Sequence, residues 1–231
     1  MLVLGFDTAA GAVSAAVHDG HQVVAAAFTV DARRHTELLT PMIAKVMADA
    51  GAARGDLTAV AVGVGPGPYT GLRVGVMTAR VLGSVLDVPV YGVCSLDVIA
   101  AAVAAQDAEF LVATDARRRE VYWARYAAAG TTAAGADAVR RDRVRAMTRS
   151  EGPAVGRADS IPGATELAVA GTGGQLYPEA FAEAIAPAHP DARTLCEIVV
   201  GRQAPLLAPE PLYLRRPDAR EPGPPKRVTP R

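Results

Sequence analysis

Lysine is nearly missing from this 231-residue chain: it occurs only at Lys45 and Lys226, so almost every cation is arginine. Beside so much alanine, that reads as the composition of a GC-rich genome rather than as function. Excess charge is also lacking. Lys+Arg and Asp+Glu both total 24, which advertises no nucleic-acid or membrane partner. Cysteine is limited to Cys94 and Cys196, both in apolar runs without metal-ligand spacing. That argues against a disulfide scaffold or a zinc cluster and fits free thiols in a reducing cytosol. No stretch approaches the roughly 18 apolar residues of a membrane span. The N-terminus lacks a basic segment, and Asp7 interrupts its apolar run, so no secretory signal is expected. A soluble, cytoplasmic protein is the expectation. Half of the chain is apolar, and its length suits one sizeable core or two small lobes.

What the chain does have is the run Gly65-Pro66-Gly67-Pro68-Tyr69-Thr70-Gly71-Leu72-Arg73-Val74-Gly75. It follows an apolar β-type run (Ala59 to Val64) and opens a helical run (Leu72 to Leu86). Alternating proline and glycine force a tight, rigid crossing, with Thr70 placed to cap the helix. Such crossings often cradle phosphate on the N–H groups of a helix start, but the lysine of a P-loop is missing. The segment is either an unusual anion site or a scaffold that positions a helix.

Val3 to Phe6, Ala12 to Val17 and Gln22 to Val30 read as strands joined by turns at Gly11 and His18-Asp19-Gly20-His21. A helix (about Arg34 to Ala50), a strand, the crossing, a second helix and a strand near Val90 to Val93 follow. The order β-β-β-α-β-α-β is that of a ribonuclease-H-like lobe. Leu111 to Ala116 then echoes the opening strand, each ending in aspartate, which suggests two lobes of related topology. Arg140 to Pro162 reads as polar and proline-bearing. Leu167 to Gly174 reads as a strand entering a glycine turn, with short helices near Pro178 to Ile185 and Thr194 to Arg202. The expected division is a first lobe (1–103), a smaller second lobe (104–205) and a C-terminal segment (206–231), disordered after about 217.

Both first-lobe helices are apolar over more of their circumference than the roughly 100° stripe a sheet requires. Leu38, Leu39, Met42, Ile43, Val46 and Met47 cover half of the first. The second shows Leu72, Val76, Met77 and further apolar residues around one polar stripe through Arg73, Arg80 and Ser84. Either this chain covers them or another protein does, and methionine at 42, 47 and 77 suits an adaptable contact. Generous core packing in an alanine-rich protein is the competing explanation.

Asp7-Thr8, Arg33-Arg34-His35-Thr36-Glu37-Leu38-Leu39, the Gly-Pro-Gly-x-x-Thr-Gly-Leu-Arg loop, Asp115-Ala116-Arg117 running into Glu120-Val121-Tyr122, Gly171-x-Gly, and Tyr213-Leu214-Arg215 together resemble the TsaB (YeaZ) family. The resemblance covers about residues 1 to 216, with Pro68-Tyr69 standing where Ser-Phe is expected. It implies an α/β, actin-like/Hsp70-like two-lobe fold and a non-catalytic role. The subunit would pair with a TsaD-like transferase and recruit a TsaE-like ATPase, and the complex would modify the adenosine beside the anticodon of ANN-reading tRNAs. The implied interface takes Leu38, Leu39, Met42, Ile43 and Val46 from the first helix. From the second it takes Tyr69, Leu72, Arg73, Val76, Met77 and Arg80. Alone, the patch would pair with itself as a homodimer.

In actin-like ATPases a first-strand aspartate and hydroxyl handle Mg-bound water and phosphate, so Asp7 and Thr8 are candidate vestigial nucleotide residues. A plain Asx-type turn is the alternative. Asp115 is the matching position of the second lobe, and Gly171 and Gly173 are either a remnant phosphate turn or a tight turn. Catalytic relatives carry His-x-x-x-His on the first helix, whereas here Leu39 stands four residues after His35, so no metal is expected. No cofactor of its own is expected either; ATP or ADP with Mg would sit at an interface shared in the complex. A stand-alone nucleotide-dependent transferase or kinase using Asp7, Thr8 and Asp115 is the competing enzyme reading. An RNA-binding adaptor would rest on Arg117 to Arg119, the arginines from Arg140 to Arg149 and the basic tail, against a neutral net charge.

Overall fold

The computed structural model describes residues 1–103, 108–127 and 148–215; Arg140 to Arg145 and the tail from Pro217 lie outside the described residues. The first lobe runs β1 (Val3–Asp7), β2 (Ala12–His18), β3 (Val23–Val30), α1 (His35–Asp49), β4 (Ala59–Gly63), α2 (Tyr69–Leu86), β5 (Val90–Val93) and α3 (Ser95–Ala101). Its sheet has the order β3-β2-β1-β4-β5. β1 pairs antiparallel with β2 and parallel with β4, the meander-then-crossover arrangement read from the sequence.

The second lobe holds β6 (Phe110–Asp115), β7 (Val121–Ala127), β8 (Thr148–Gly156), β9 (Ala168–Ala170), α4 (Thr172–Leu176) and β10 (Glu183–Ile185), followed by α5 (Ala192–Gly201). Its sheet order is β10-β9-β6-β7-β8. β6 is antiparallel to β7 and parallel to β9, so both lobes are wired alike and the echo at Asp115 is a repeat of topology. This is the α/β two-lobe, actin-like arrangement.

Several elements differ from the sequence reading. Pro178 to Ile185 is a 3₁₀ turn (Pro178–Ala180) followed by β10, because Glu183–Ile185 pairs parallel with β9 and tertiary pairing outranks the helix propensity of alanine and glutamate. β8 escaped notice because it is a polar edge strand containing Pro153, which an edge tolerates. α2 begins at Tyr69 with Pro68 at the cap position, so Thr70 lies inside the helix and caps nothing.

The first sheet is sandwiched. α1 and α2 cover one face through Leu39, Met42, Val46, Leu72, Val76 and Ala79. On the other face α5 supplies Leu195, Cys196 and Ile198, so this helix packs on the first sheet although its sequence position suggested the second lobe. α3 inserts Leu96 and Ile99 against β6 and β7. There Asp97 accepts the Tyr126 hydroxyl at 2.7 Å and Arg149 Nη1 at 3.0 Å, tying α3 to β7 and β8. Both cysteines are buried free thiols, and burial pushes Cys94 up to about 12.

This packing corrects the interface expectation. Leu39, Met42, Val46, Leu72 and Val76 are buried in the core and unavailable to a partner. Leu38 and Ile43 are half-buried against the same cluster. The sheet face beneath them carries Leu4, Phe6, Val13, Val17, Val60 and Val62, which interdigitate with both helices, so a wide apolar arc is consumed internally.

Candidate functional site

Asp7 ends β1 fully buried, with both carboxylate oxygens engaged. Oδ1 accepts the Ala9 N–H at 2.7 Å, an Asx-type turn, and Oδ2 accepts the Ser95 hydroxyl at 2.6 Å. Ser95 Oγ accepts the Gly65 N–H at 3.2 Å, which links Asp7 to the head of the Gly-Pro crossing. Burial holds the Asp7 carboxyl above the usual carboxylate range, against the opposing pull of Ser95, the Ala9 N–H and His35. Thr8 Oγ1 donates to the Gly71 carbonyl at 2.7 Å and accepts the Gly75 N–H at 3.0 Å, clasping the start of α2. Gly67 lies against the Ala9 carbonyl with no room for a Cβ. Asp7 and Thr8, candidates for Mg-bound water and phosphate, are therefore internal ties that seat the crossing on the end of β1. The crossing itself is a scaffold for α2.

Between the lobes lies a cleft of about 320 Å³, lined by Ala9 to Gly11, Val30 to Ala32, His35, Thr114, Asp115, Arg117, Thr172 and His189. The Asp115 N–H donates to Thr172 Oγ1 at 3.2 Å; its carboxylate accepts the Arg117 N–H at 2.7 Å and pairs with the Arg117 guanidinium at 3.2 Å. Asp31 is engaged in the same way. It accepts the Arg33 N–H at 2.9 Å and the Arg34 Nε–H at 2.7 Å, and these hold its carboxyl down at about 2. The two aspartates that match in sequence thus face different surroundings, Asp115 the cleft and Asp7 the core.

Gly171, at φ 92°, and Gly173 both press on the Ala113 backbone or Cβ, which lets α4 lie on β6. With five residues, α4 is too short to offer a developed helix N-terminus to phosphate, and the tight-turn reading applies. His35 Nε2 stands 2.8 Å from the Ala10 carbonyl. Among the described residues no three His, Cys, Asp or Glu side chains gather as a metal site. The cleft carboxylates Asp31 and Asp115 are each paired with an arginine.

The other exposed feature is the outer side of α2. Tyr69 (41% exposed), Met77 (52%), Val81 (55%) and Val85 (75%) follow one another at helical spacing, with exposed Arg73 and Arg80 among them. The Arg73 guanidinium lies 3.8 Å over the Tyr69 ring, and Tyr69 stacks on Tyr213 at 5.1 Å. Tyr213 belongs to a C-terminal strap with no counterpart in the sequence reading except its Tyr-Leu-Arg motif. The strap bridges Leu207 to Gly92 on the edge of β5 and donates the Leu212 N–H to the Val64 carbonyl at 2.8 Å. It ends with Arg215 donating to the Ala116 carbonyl at 2.8 Å and pairing with Glu120 in the second lobe.

The model of the family TsaD: tRNA N6-adenosine threonylcarbamoyltransferase matches residues 28–221. The chain belongs to this family. A relative in Mycobacterium tuberculosis, printed as an uncharacterized protein, is 43% identical over 223 residues, covering 94% of this chain and 93% of its own length. The tRNA threonylcarbamoyladenosine biosynthesis protein TsaB of Escherichia coli is 37% identical over 129 residues, covering 54% of this chain and 55% of that protein. Among solved structures, YeaZ from Pseudomonas aeruginosa matches with a TM-score of 0.71 at 25% identity over 92% of this chain and 99% of that one. Within the TsaD family, then, the likeness is to TsaB and YeaZ, as the motifs around the Gly-Pro crossing indicated. No helix among the described residues is long and apolar enough to cross a membrane.

Proposed function

We propose that the chain is a partner subunit in tRNA threonylcarbamoyladenosine biosynthesis that docks onto a TsaD-like transferase through the outer face of α2 and has no complete active site of its own. The carrying observation is the stripe of Tyr69, Arg73, Met77, Val81 and Val85 on one exposed side of an 18-residue helix. Tyrosine and arginine beside uncovered aliphatic side chains are the composition of an interface anchor. Family membership and the printed name of the Escherichia coli relative support the pathway. On this reading a TsaE-like ATPase joins the assembly, tRNA is reached within it, and α2 faces pair into a homodimer when the partner is absent. ATP or ADP with Mg would be held at a boundary shared with another subunit. The test is co-purification with the transferase: Met77→Glu and Val85→Glu abolish it while circular dichroism stays unchanged. Wild-type recovery of the partner by both variants overturns the assignment.

A second reading, a stand-alone nucleotide-dependent transferase or kinase, draws on the interlobe cleft with Asp115 and Thr172 at its wall. It requires ATP turnover by the isolated chain.

A further inference from the structure

We propose that the mouth of the interlobe cleft is a contact surface for the phosphate backbone of a structured RNA, with Arg33 and Arg34 on one lip and the Arg117–Arg119 turn on the other. The inference rests on the tRNA-modifying role proposed above and adds a direct contact by this subunit. Read as sequence, three arginines in a neutral chain suggest a solvated loop. The structure alters that reading in two respects.

Arg117, Arg118 and Arg119 have φ of 61°, 56° and 62°, a left-handed turn made entirely of side-chain-bearing residues. Each costs roughly 1–2 kcal/mol in that conformation, a cost glycine avoids. The turn is held on all sides. Asp115 accepts the Arg117 N–H, the Ala116 N–H reaches the Glu120 carbonyl at 3.0 Å, and Arg215 grips the Ala116 carbonyl. All three arginine side chains nevertheless remain exposed. Strained backbone that displays cations where glycine would relieve it points to a use for those cations.

The opposite lip supplies the second observation. Asp31, Ala32 and Arg117 line the same cleft, and exposed Arg33 and Arg34 follow directly at the entry to α1. Arginines from both lobes thus flank one opening. Among the described residues Arg215 joins them, and three of these arginines pair with a carboxylate: Arg34 with Asp31, Arg117 with Asp115 and Arg215 with Glu120. Guanidinium forks suit phosphate oxygens bidentately. Arg117 lines the cavity, while Arg33, Arg34, Arg118 and Arg119 extend the exposed cations beyond its lining, a spread that suits an extended backbone crossing the mouth.

Filter binding of an unmodified, ANN-reading tRNA transcript to the full chain, from 50 to 200 mM salt, tests this. Arg119→Gly is the informative variant: relief of the left-handed strain raises its melting temperature while tRNA affinity falls about tenfold, one charge-assisted contact. The slope of log affinity against log salt shrinks by roughly 0.7–0.9 for each arginine lost, and Arg33→Ala adds to it. Unchanged affinity and slope in both variants overturn the proposal, as does absence of salt-dependent binding by the wild type. Complete competition by millimolar ATP also overturns it, since the site would then serve a free nucleotide. Met77→Glu separates the two hypotheses: it loses the transferase yet binds tRNA as wild type. If it keeps the transferase, the docking reading fails and the arginine result stands on its own.

Discussion

Arg73 donates from Nε to the Tyr213 hydroxyl at 2.9 Å across 140 residues of sequence, joining the outer face of α2 to the strap that ends on the second lobe. A partner that covers α2 therefore meets a surface made from two distant parts of the chain. Tyr213→Ala removes the stack on Tyr69 and frees the guanidinium. The expected outcome is at least a tenfold loss of partner affinity by calorimetry, with the melting temperature nearly unchanged because the cluster is exposed. Tyr213→Phe keeps the stack and lies between the two.

Core and interface residues of the same helices separate in denaturation. Leu39→Ala, in the buried face of α1, costs about 2–5 kcal/mol in urea unfolding, the usual range for a buried leucine. Val85→Glu, on a side chain three-quarters exposed, leaves the midpoint close to wild type. Equal losses in both would mean that the outer side of α2 is covered within the chain.

Thr8 is a second point of contrast. Thr8→Val keeps the shape but leaves the Gly75 N–H without its acceptor in a buried setting. A loss of about 1–3 kcal/mol is expected, measured by chemical denaturation. Hydrogen exchange should quicken at Gly71 to Gly75 before it quickens elsewhere.

The raised Asp7 carboxyl gives a pH dependence of fixed sign. The folded protein holds the Asp7 proton more tightly than the unfolded chain does, so its contribution is fully present below the unfolded value near 4 and fades as pH rises through the folded value. Asp97, also raised by burial despite the opposing pull of Tyr126 and Arg149, acts in the same direction. Asp7→Asn, which still accepts from Ala9, should flatten the fall in melting temperature above about pH 4. A wild-type slope in that variant would show that Asp7 does not titrate in this window.

The isolated chain should show no ATP turnover above that of Asp115→Ala under Mg²⁺. Robust turnover lost in that variant would favour the enzyme reading over the docking one.

The first lobe was legible because its apolar runs are long and its turns are punctuated by Gly11, Gly20 and the Gly-Pro crossing. The second was harder to read. β9 reads as the strand before the glycine turn, but β10 has three residues, too few for a period to show, and β8 is an edge strand whose polar residues look like loop. The breadth of the apolar arcs on α1 and α2 was correct, but breadth alone does not tell which half faces inward. That depended on how the helices pack against Phe6, Val60 and Val62 of the sheet, which a helical period does not show. Asp7 and Asp115 were rightly paired by position; their different surroundings follow from Ser95, which reaches Asp7 from far along the chain and itself accepts the Gly65 N–H. The strain in Arg117 to Arg119 leaves no trace in composition, since arginine rarely marks a left-handed turn.

The same strand connectivity occurs twice in this molecule, yet the helical layers differ. One copy is roofed by helices of 15 and 18 residues, while its twin, among the described residues, has the five residues of α4 after its fourth strand. A duplicated scaffold can divide its labour in this way: one half retains bulk to offer a neighbour, and the other shrinks to a bracket that holds an edge in position.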